Sequence, residues 1–295
     1  MHQTIAKRTA ALIQTALVFA VVTLPAVRAA NFPAFEITRS GEVIGYLVGT
    51  MHSEDPRILA LLDDLEPLVA DVDTVAIELV PDGVTLVAVG AATLLPEGQA
   101  LSERLGPQRF SALRQVADQR GLPIAVLDRL KPWAAAIMLA VPPMDGGEVL
   151  DTALYLSARA AGRRVVGLET AAEQIQVFDR MPLDLQVALL DTLIKNVDLL
   201  PLQMEALTTA FLTGDLVDID RVARAQYAGV SPALQTWFEQ ELLQRRNVRM
   251  VERALRLLER ETVMIAVGAM HLGGETGLVA GLRQRGYAVN GLRDR

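Results

Sequence analysis

The sequence predicts an α/β fold: a mixed central sheet assembled from N- and C-terminal segments, with a large all-helical insertion between them. Three observations carry this. From residue 34 to 168 short β-branched runs alternate with amphipathic stretches, from about 170 to 260 no run reads as a strand, and from 262 to 292 strand patterning returns.

Residues Ala34 to Thr38 and Glu42 to Val48 alternate in strand fashion around Ser40-Gly41, the pattern of an opening hairpin. Pro56 starts a helix to about Val69, with Ile58, Leu59, Leu62, Leu65 and Leu68 at helical spacing. Asp73 to Leu79 reads as a short buried strand, Pro107 to Arg120 as a helix stopped by Gly121, and Pro123 to Leu127 as a further strand. Helices follow from Pro132 and from Glu148 to Ala161, and Arg164 to Leu168 is again a strand. Pro182, Pro201, Gly214-Asp215 and Ser231-Pro232 then punctuate amphipathic helices that would cap the core. The strand Thr262 to Val267, a helix from Gly277 to Arg285 and a last strand from Tyr287 to Leu292 complete the sheet.

Ahead of the fold, Lys7-Arg8, an uncharged run of 19 residues from Thr9 to Val27 and the tail Val27-Arg28-Ala29 form the pattern of a secretory signal peptide, residues 1–29. The run approaches the ~20 residues of a membrane anchor, but Pro25 and the cleavage-like tail favour removal. Cleavage leaves one domain, 30–295, with 25 basic against 35 acidic residues and a net charge of −10. Nucleic acid is therefore excluded as an expected partner, and membrane contact is expected only through the leader. The absence of cysteine removes disulfides, thiolate metal sites and a cysteine nucleophile, and suits a periplasmic or secreted protein. The longest later apolar run, Val84 to Leu95, is too short to span a bilayer and is expected to pack as a buried segment.

Two stretches are nearly identical: Val48-Gly49-Thr50-Met51-His52 and Val267-Gly268-Ala269-Met270-His271. Apart from His2 in the leader, these are the only histidines, and each follows a strand-like run. With glycine at about 7% of residues, both would have Gly three positions before them in roughly 0.5% of random cases, so chance is a poor explanation. In open α/β sheets, sites gather beyond the carboxyl ends of strands. The expected strand ends carry His52, Glu78, Asp128, Glu169 and His271. Two imidazoles with carboxylates are the usual first shell of Zn, Mn, Fe(II) or Co, so a hydrolytic centre with a divalent metal ion is the inference. The glycines would permit tight turns that aim each imidazole back over the sheet edge.

Plainer readings stand beside these. Glu78 follows three apolar residues, Val75 to Ile77, a costly place for a carboxylate without a partner, so it is either a ligand or general base or a paired structural acid. Glu169 and Asp128 precede helices and could simply cap them. Arg246-Asn247, within a long charged helix, reads as a solvated face, and Trp133 and Trp237 read as core. No HExxH, nucleotide-binding glycine loop, Gly-x-Ser-x-Gly elbow or dinucleotide fingerprint is present.

Taken together, Gly49 to His52, Ile77-Glu78, the run Leu127 to Trp133, Gly167 to Thr170 with Glu173-Gln174 and Phe178, Arg246-Asn247, Val267 to Leu272, Gly277-Leu278 and Arg285-Gly286-Tyr287 resemble the TraB/GumN family, which includes the Tiki-type proteases. The resemblance covers about residues 32 to 292. It implies an α/β core similar to haem-binding ChaN-like and erythromycin-esterase-like proteins. For Tiki-type members it also implies metal-dependent peptide hydrolysis centred on the two histidines and a glutamate. Carried over, this assigns His52, His271, Glu78 and Glu169 to the metal, and Glu78, Arg246 and Asn247 to catalysis. Arg245 stands where the family commonly has Glu, so that acid's role has no counterpart here.

The leading expectation is a periplasmic metal-dependent hydrolase acting on a peptide or small-molecule substrate, with Arg246 stabilising the oxyanion. Two other expectations are a binder that sequesters a peptide or haem without turnover, and an accessory protein of surface-polysaccharide export.

Overall fold

The computed structural model describes residues 32–141, 148–226 and 229–292, so the expected signal peptide, 1–29, lies outside the described residues. Six strands, β1 (Ala34–Arg39), β2 (Glu42–Thr50), β3 (Thr74–Ile77), β4 (Arg164–Gly167), β5 (Val263–Gly268) and β6 (Ala288–Gly291), form one sheet in the order β4-β3-β5-β2-β1-β6. The neighbours β4, β3, β5 and β2 run parallel, and β1 is antiparallel to β2 and β6. The sheet is thus mixed and draws on both ends of the chain, as the patterning predicts.

Strand alternation sorts side chains to the two faces. Tyr46, Val48, Val75, Ile77, Met264 and Ala266 pack on one face, against helices Leu62–Ala70 and Leu150–Ala160 and against Phe211 and Ile219 of the insertion. Leu47, Ala76, Val263, Ile265 and Val267 pack on the other, against helices Arg245–Leu258 and Leu278–Arg283. The β1–β2 hairpin turns through Ser40 and Gly41, both at positive φ as a two-residue turn requires. At Gly45 the neighbouring strand comes so close that a Cβ would sit 2.0 Å from the Val263 carbonyl oxygen.

All described residues between 171 and 258 that belong to regular elements are helical. Helix Leu183–Asn196 packs with Leu101–Gln119 and Pro132–Ala140 in a separate cluster that buries Trp133, while Trp237 is buried beside Phe178 and Leu234. No helix among the described residues is long and apolar enough to cross a membrane.

Two expectations fail. The run Ile124–Leu127 is a single helical turn rather than a strand: only Leu127 is buried, and no strand neighbours it. Asp128 consequently lies away from the sheet edge, where its Oδ1 accepts from Ser102 N (2.8 Å) at the start of helix Leu101–Gln119. The apolar run from Val84 forms helix Gly83–Ala92, which buries no residue; Val84 and Val87 are 81% and 74% exposed. A helix that is apolar all round is ordinarily buried; this one packs along one side on helix Ala171–Asp179 and leaves the rest of its surface uncovered among the described residues.

Candidate functional site

The parallel strands β2, β3, β4 and β5 end on one edge, and Thr50, Glu78, Glu169 and Gly268 leave it there. Glu169 N donates to Glu78 O (2.8 Å), which extends the β3–β4 pairing and holds the two acids side by side. Over this edge passes helix Arg245–Leu258. Its buried residues, Arg246, Asn247, Met250, Val251, Ala254 and Leu258, form one stripe at spacings of three and four. Arg246 and Asn247 are therefore the first members of a core-facing stripe, not part of a solvated face. A π-helical segment, Phe238–Gln244, leads directly into them.

Arg246 is the hub. Its Nε and Nη2 donate to Glu169 Oε2 (2.9 and 2.6 Å), Nη2 also donates to Glu78 Oε2 (2.7 Å), and Nη1 faces His271 Nε2 at 3.1 Å. Arg249 Nη2 donates to the other Glu169 oxygen (2.9 Å), and Arg253 grips Leu168 O and Glu173. The three arginines recur along the helix and clamp residues 168–173 to it. Burial alone would raise the Glu169 pKa; hydrogen bonds from Arg246, then Arg249 and Gln174, outweigh it and hold the carboxyl below its usual range. Glu173, paired with Arg253 and closing a capping box with Thr170, is brought down to about 2.

His271 is buried in the 3-10 turn Ala269–His271 that follows β5. Asn247 Nδ2 donates to Thr276 O (3.0 Å), so Oδ1 faces His271 Nδ1 at 2.6 Å and must accept its proton. Nε2 is then the lone-pair nitrogen, in agreement with the arginine donor opposite it. Burial lowers the His271 pKa; the charge of Glu78 works against that and the charge of Arg246 with it. Glu78 Oε1 accepts from Gly268 N (2.6 Å) and lies 3.8 Å from His271 Nε2. Gly268 allows this approach, since a Cβ there would stand 3.1 Å from the carboxylate.

His52 is placed differently. Its side chain is 67% exposed, with Nδ1 3.5 Å from Asp151 Oδ2, and Asp151 Oδ1 accepts from Thr50 Oγ1 (2.6 Å). The hydrogen bond to Asp151 raises its pKa, burial opposes this, and the charges of Asp151 and Glu78 add to the rise. Asp151 was not visible as a site residue in the sequence, because it sits in a helix 99 positions from His52 with no motif around it. Arg249 and Arg253 were likewise missed, although the stripe spacing from Arg246 could have flagged them. Arg245, at the position where the resembling family has Glu, points to solvent and pairs with Glu241.

Beside these groups lies a cavity of about 490 Å³. Thr50, Glu78, Arg246, Gly268 and His271 line one side of it. For a divalent ion the donor types fit: imidazoles and carboxylates. In position, His271 and Glu78 converge on the cavity, while His52 is exposed beside Asp151 and does not line it. Among the described residues no three His, Asp or Glu side chains are gathered closely enough to hold an ion as they stand. The Arg246 guanidinium fills the place between Glu78, Glu169 and His271 that a cation favours, so an ion there requires it to withdraw from the imidazole.

Fold and site together define an α/β protein with a cleft lined by charged and imidazole groups at the carboxyl edge of its sheet. Residues 33–291 match the TraB/PrgY/gumN family, and the chain belongs to that family. It is 25% identical to Metalloprotease TIKI1 of Danio rerio over 83% of its own length and 60% of that protein's. It is 25% identical to Metalloprotease TIKI2 of Xenopus tropicalis over 83% and 57%, and 24% identical to the uncharacterized protein YbaP of Shigella flexneri over 86% and 93%. The chain thus spans less than two thirds of the length of the two metalloproteases. No solved structure matches it.

Proposed function

We propose that the cleft hydrolyses a peptide bond, in a protein exported to the periplasm or secreted. The observation that carries this reading is the convergence of His271 and Glu78, 3.8 Å apart, on a cavity of about 490 Å³ with Arg246 against both. The metalloprotease names of two relatives support it. Asn247 fixes the His271 tautomer and turns the Nε2 lone pair toward the cleft. Glu78 is the proton acceptor for an attacking water, and Arg246, held by Glu169, stabilises the developing oxyanion. A divalent ion, Mn, Co, Zn or Fe, would be held by His271, Glu78 and His52, and would polarise the carbonyl and acidify the water. Glu169, with both oxygens on arginines, serves in this reading as the anchor of Arg246.

The test is elemental analysis of the purified protein alongside mass-spectrometric cleavage of a peptide library by wild type, His271→Ala and Glu78→Gln. A stoichiometric ion that His271→Ala loses, with turnover lowered about 100-fold or more in Glu78→Gln, is the expected result. Unchanged cleavage in both variants and no bound ion would sink the proposal. The closure of Arg246 on both carboxylates and the imidazole favours one second reading, a binder that holds a peptide or haem without turnover. Peptide retained intact by wild type would select it.

A further inference from the structure

The cavity is lined by two unlike sets of residues. Beside the polar groups it includes Met51, Phe211, Ile219, Phe238, Leu242 and Leu243. Most of these also pack inward on buried clusters, but Leu243 does not: it is half-buried and, among the described residues, joins none of the four. Intramolecular packing therefore does not account for its place on the wall. It belongs to the π-helical segment Phe238–Gln244, whose i→i+5 bonding brings Phe238, Leu242 and Leu243 to the cavity just before Arg246. Such segments are uncommon and frequent at functional sites. At the mouth, Arg224 is shared between Asp220 (2.7 Å) and Glu239 (2.6 Å), two acids for one base.

We propose that this wall is the specificity pocket of the cleft, taking a large apolar side chain of a peptide (leucine, methionine or phenylalanine) with a basic residue next to it at the mouth. The inference rests on the peptide reading of the site and adds which peptide. Apolar surface that faces water in a concave site is what an apolar side chain displaces on binding. A single methylene in such a pocket is worth about 10-fold or more in discrimination. An acidic side chain entering here would lose its solvation and meet Asp220 and Glu239 without an unpaired cation to receive it.

The test uses blocked pentapeptides that differ only in the central residue, phenylalanine, alanine or aspartate, and in its neighbour, lysine or glutamate. Binding is measured by calorimetry to the full-length Glu78→Gln protein, and cleavage by the wild type. The phenylalanine-lysine peptide is expected to bind at least about 10-fold more tightly than the alanine-lysine one, and the aspartate-glutamate peptide the weakest. Leu243→Asp, at a half-buried position outside the core, should abolish the preference for phenylalanine over alanine. Equal affinities across the set, or an unchanged ranking in Leu243→Asp, overturn the pocket. Ranked binding without cleavage by wild type leaves the pocket standing and removes the hydrolase reading instead, so the two failures are distinct.

Discussion

Gly49–His52 and Gly268–His271 end neighbouring parallel strands, yet their imidazoles meet opposite surroundings, 67% exposed in one case and 6% in the other. The cause is a stagger of one residue. Register sets Gly49 against Val267 and Thr50 against Gly268, so equivalent motif positions fall on opposite faces of the sheet. Val48 packs with the cluster that includes Leu150 and Leu154, and its counterpart Val267 with the cluster that includes Met250 and Val251. His52 accordingly turns toward Asp151 of helix Leu150–Ala160, and His271 toward Asn247 and Arg246 of helix Arg245–Leu258. A motif states what leaves a strand; the register of that strand against its neighbour decides where it goes.

If the second unit is the enclosed, structural half of the pair, removing its partners must cost far more than removing His52. Arg246→Ala leaves the Glu169 carboxylate, whose side chain has no exposure, with Arg249 as its remaining cation, and should lower unfolding free energy by about 3–5 kcal/mol in urea titration. A loss under about 1 kcal/mol would mean that the hub is not holding the edge together. Asn247→Ala strips His271 Nδ1 and Thr276 O of their partner at once, and about 1–3 kcal/mol is expected in the same assay. His52→Ala, at an exposed position, should stay within about 0.5 kcal/mol of wild type.

The titrations should diverge as well. Proton NMR of metal-free protein should find His52 titrating above 6.5 and His271 below it. The signs follow from linkage: His52, raised by Asp151, adds stability below 6.5 that fades as pH climbs through its folded value. His271, lowered by burial, adds stability above 6.5 that is lost as pH falls toward its folded value. Two rings titrating together would contradict the opposed environments.

Much of this was legible in the sequence. The strand-helix alternation and the strandless stretch gave the architecture, and the paired motifs placed two histidines at strand ends on one sheet edge. The stagger was not legible, because it is a relation between strands and neither motif contains it. Arg246 and Asn247 were masked by the charges around them, although their spacing to Met250, Val251 and Ala254 is that of a buried stripe. Ile124–Leu127 was misread because a four-residue apolar run looks the same as a strand or as a helical turn. Helix Gly83–Ala92 failed for the converse reason: its apolar composition suggested burial, but it meets helix Ala171–Asp179 along one side and buries no residue fully.

The strand order has a consequence in time. β5 lies between β2 and β3, so the two halves of the sheet share no edge until residues 263–268 arrive, more than two hundred positions after β2 begins. During synthesis the facing edges of β2 and β3 wait unpaired, open to the wrong strand. Such long-range closure is slow. The cleft is then a late part of the molecule to form, since Gly268 and His271 arrive with the strand that joins the halves, and a chain stalled before it has no site to misfire.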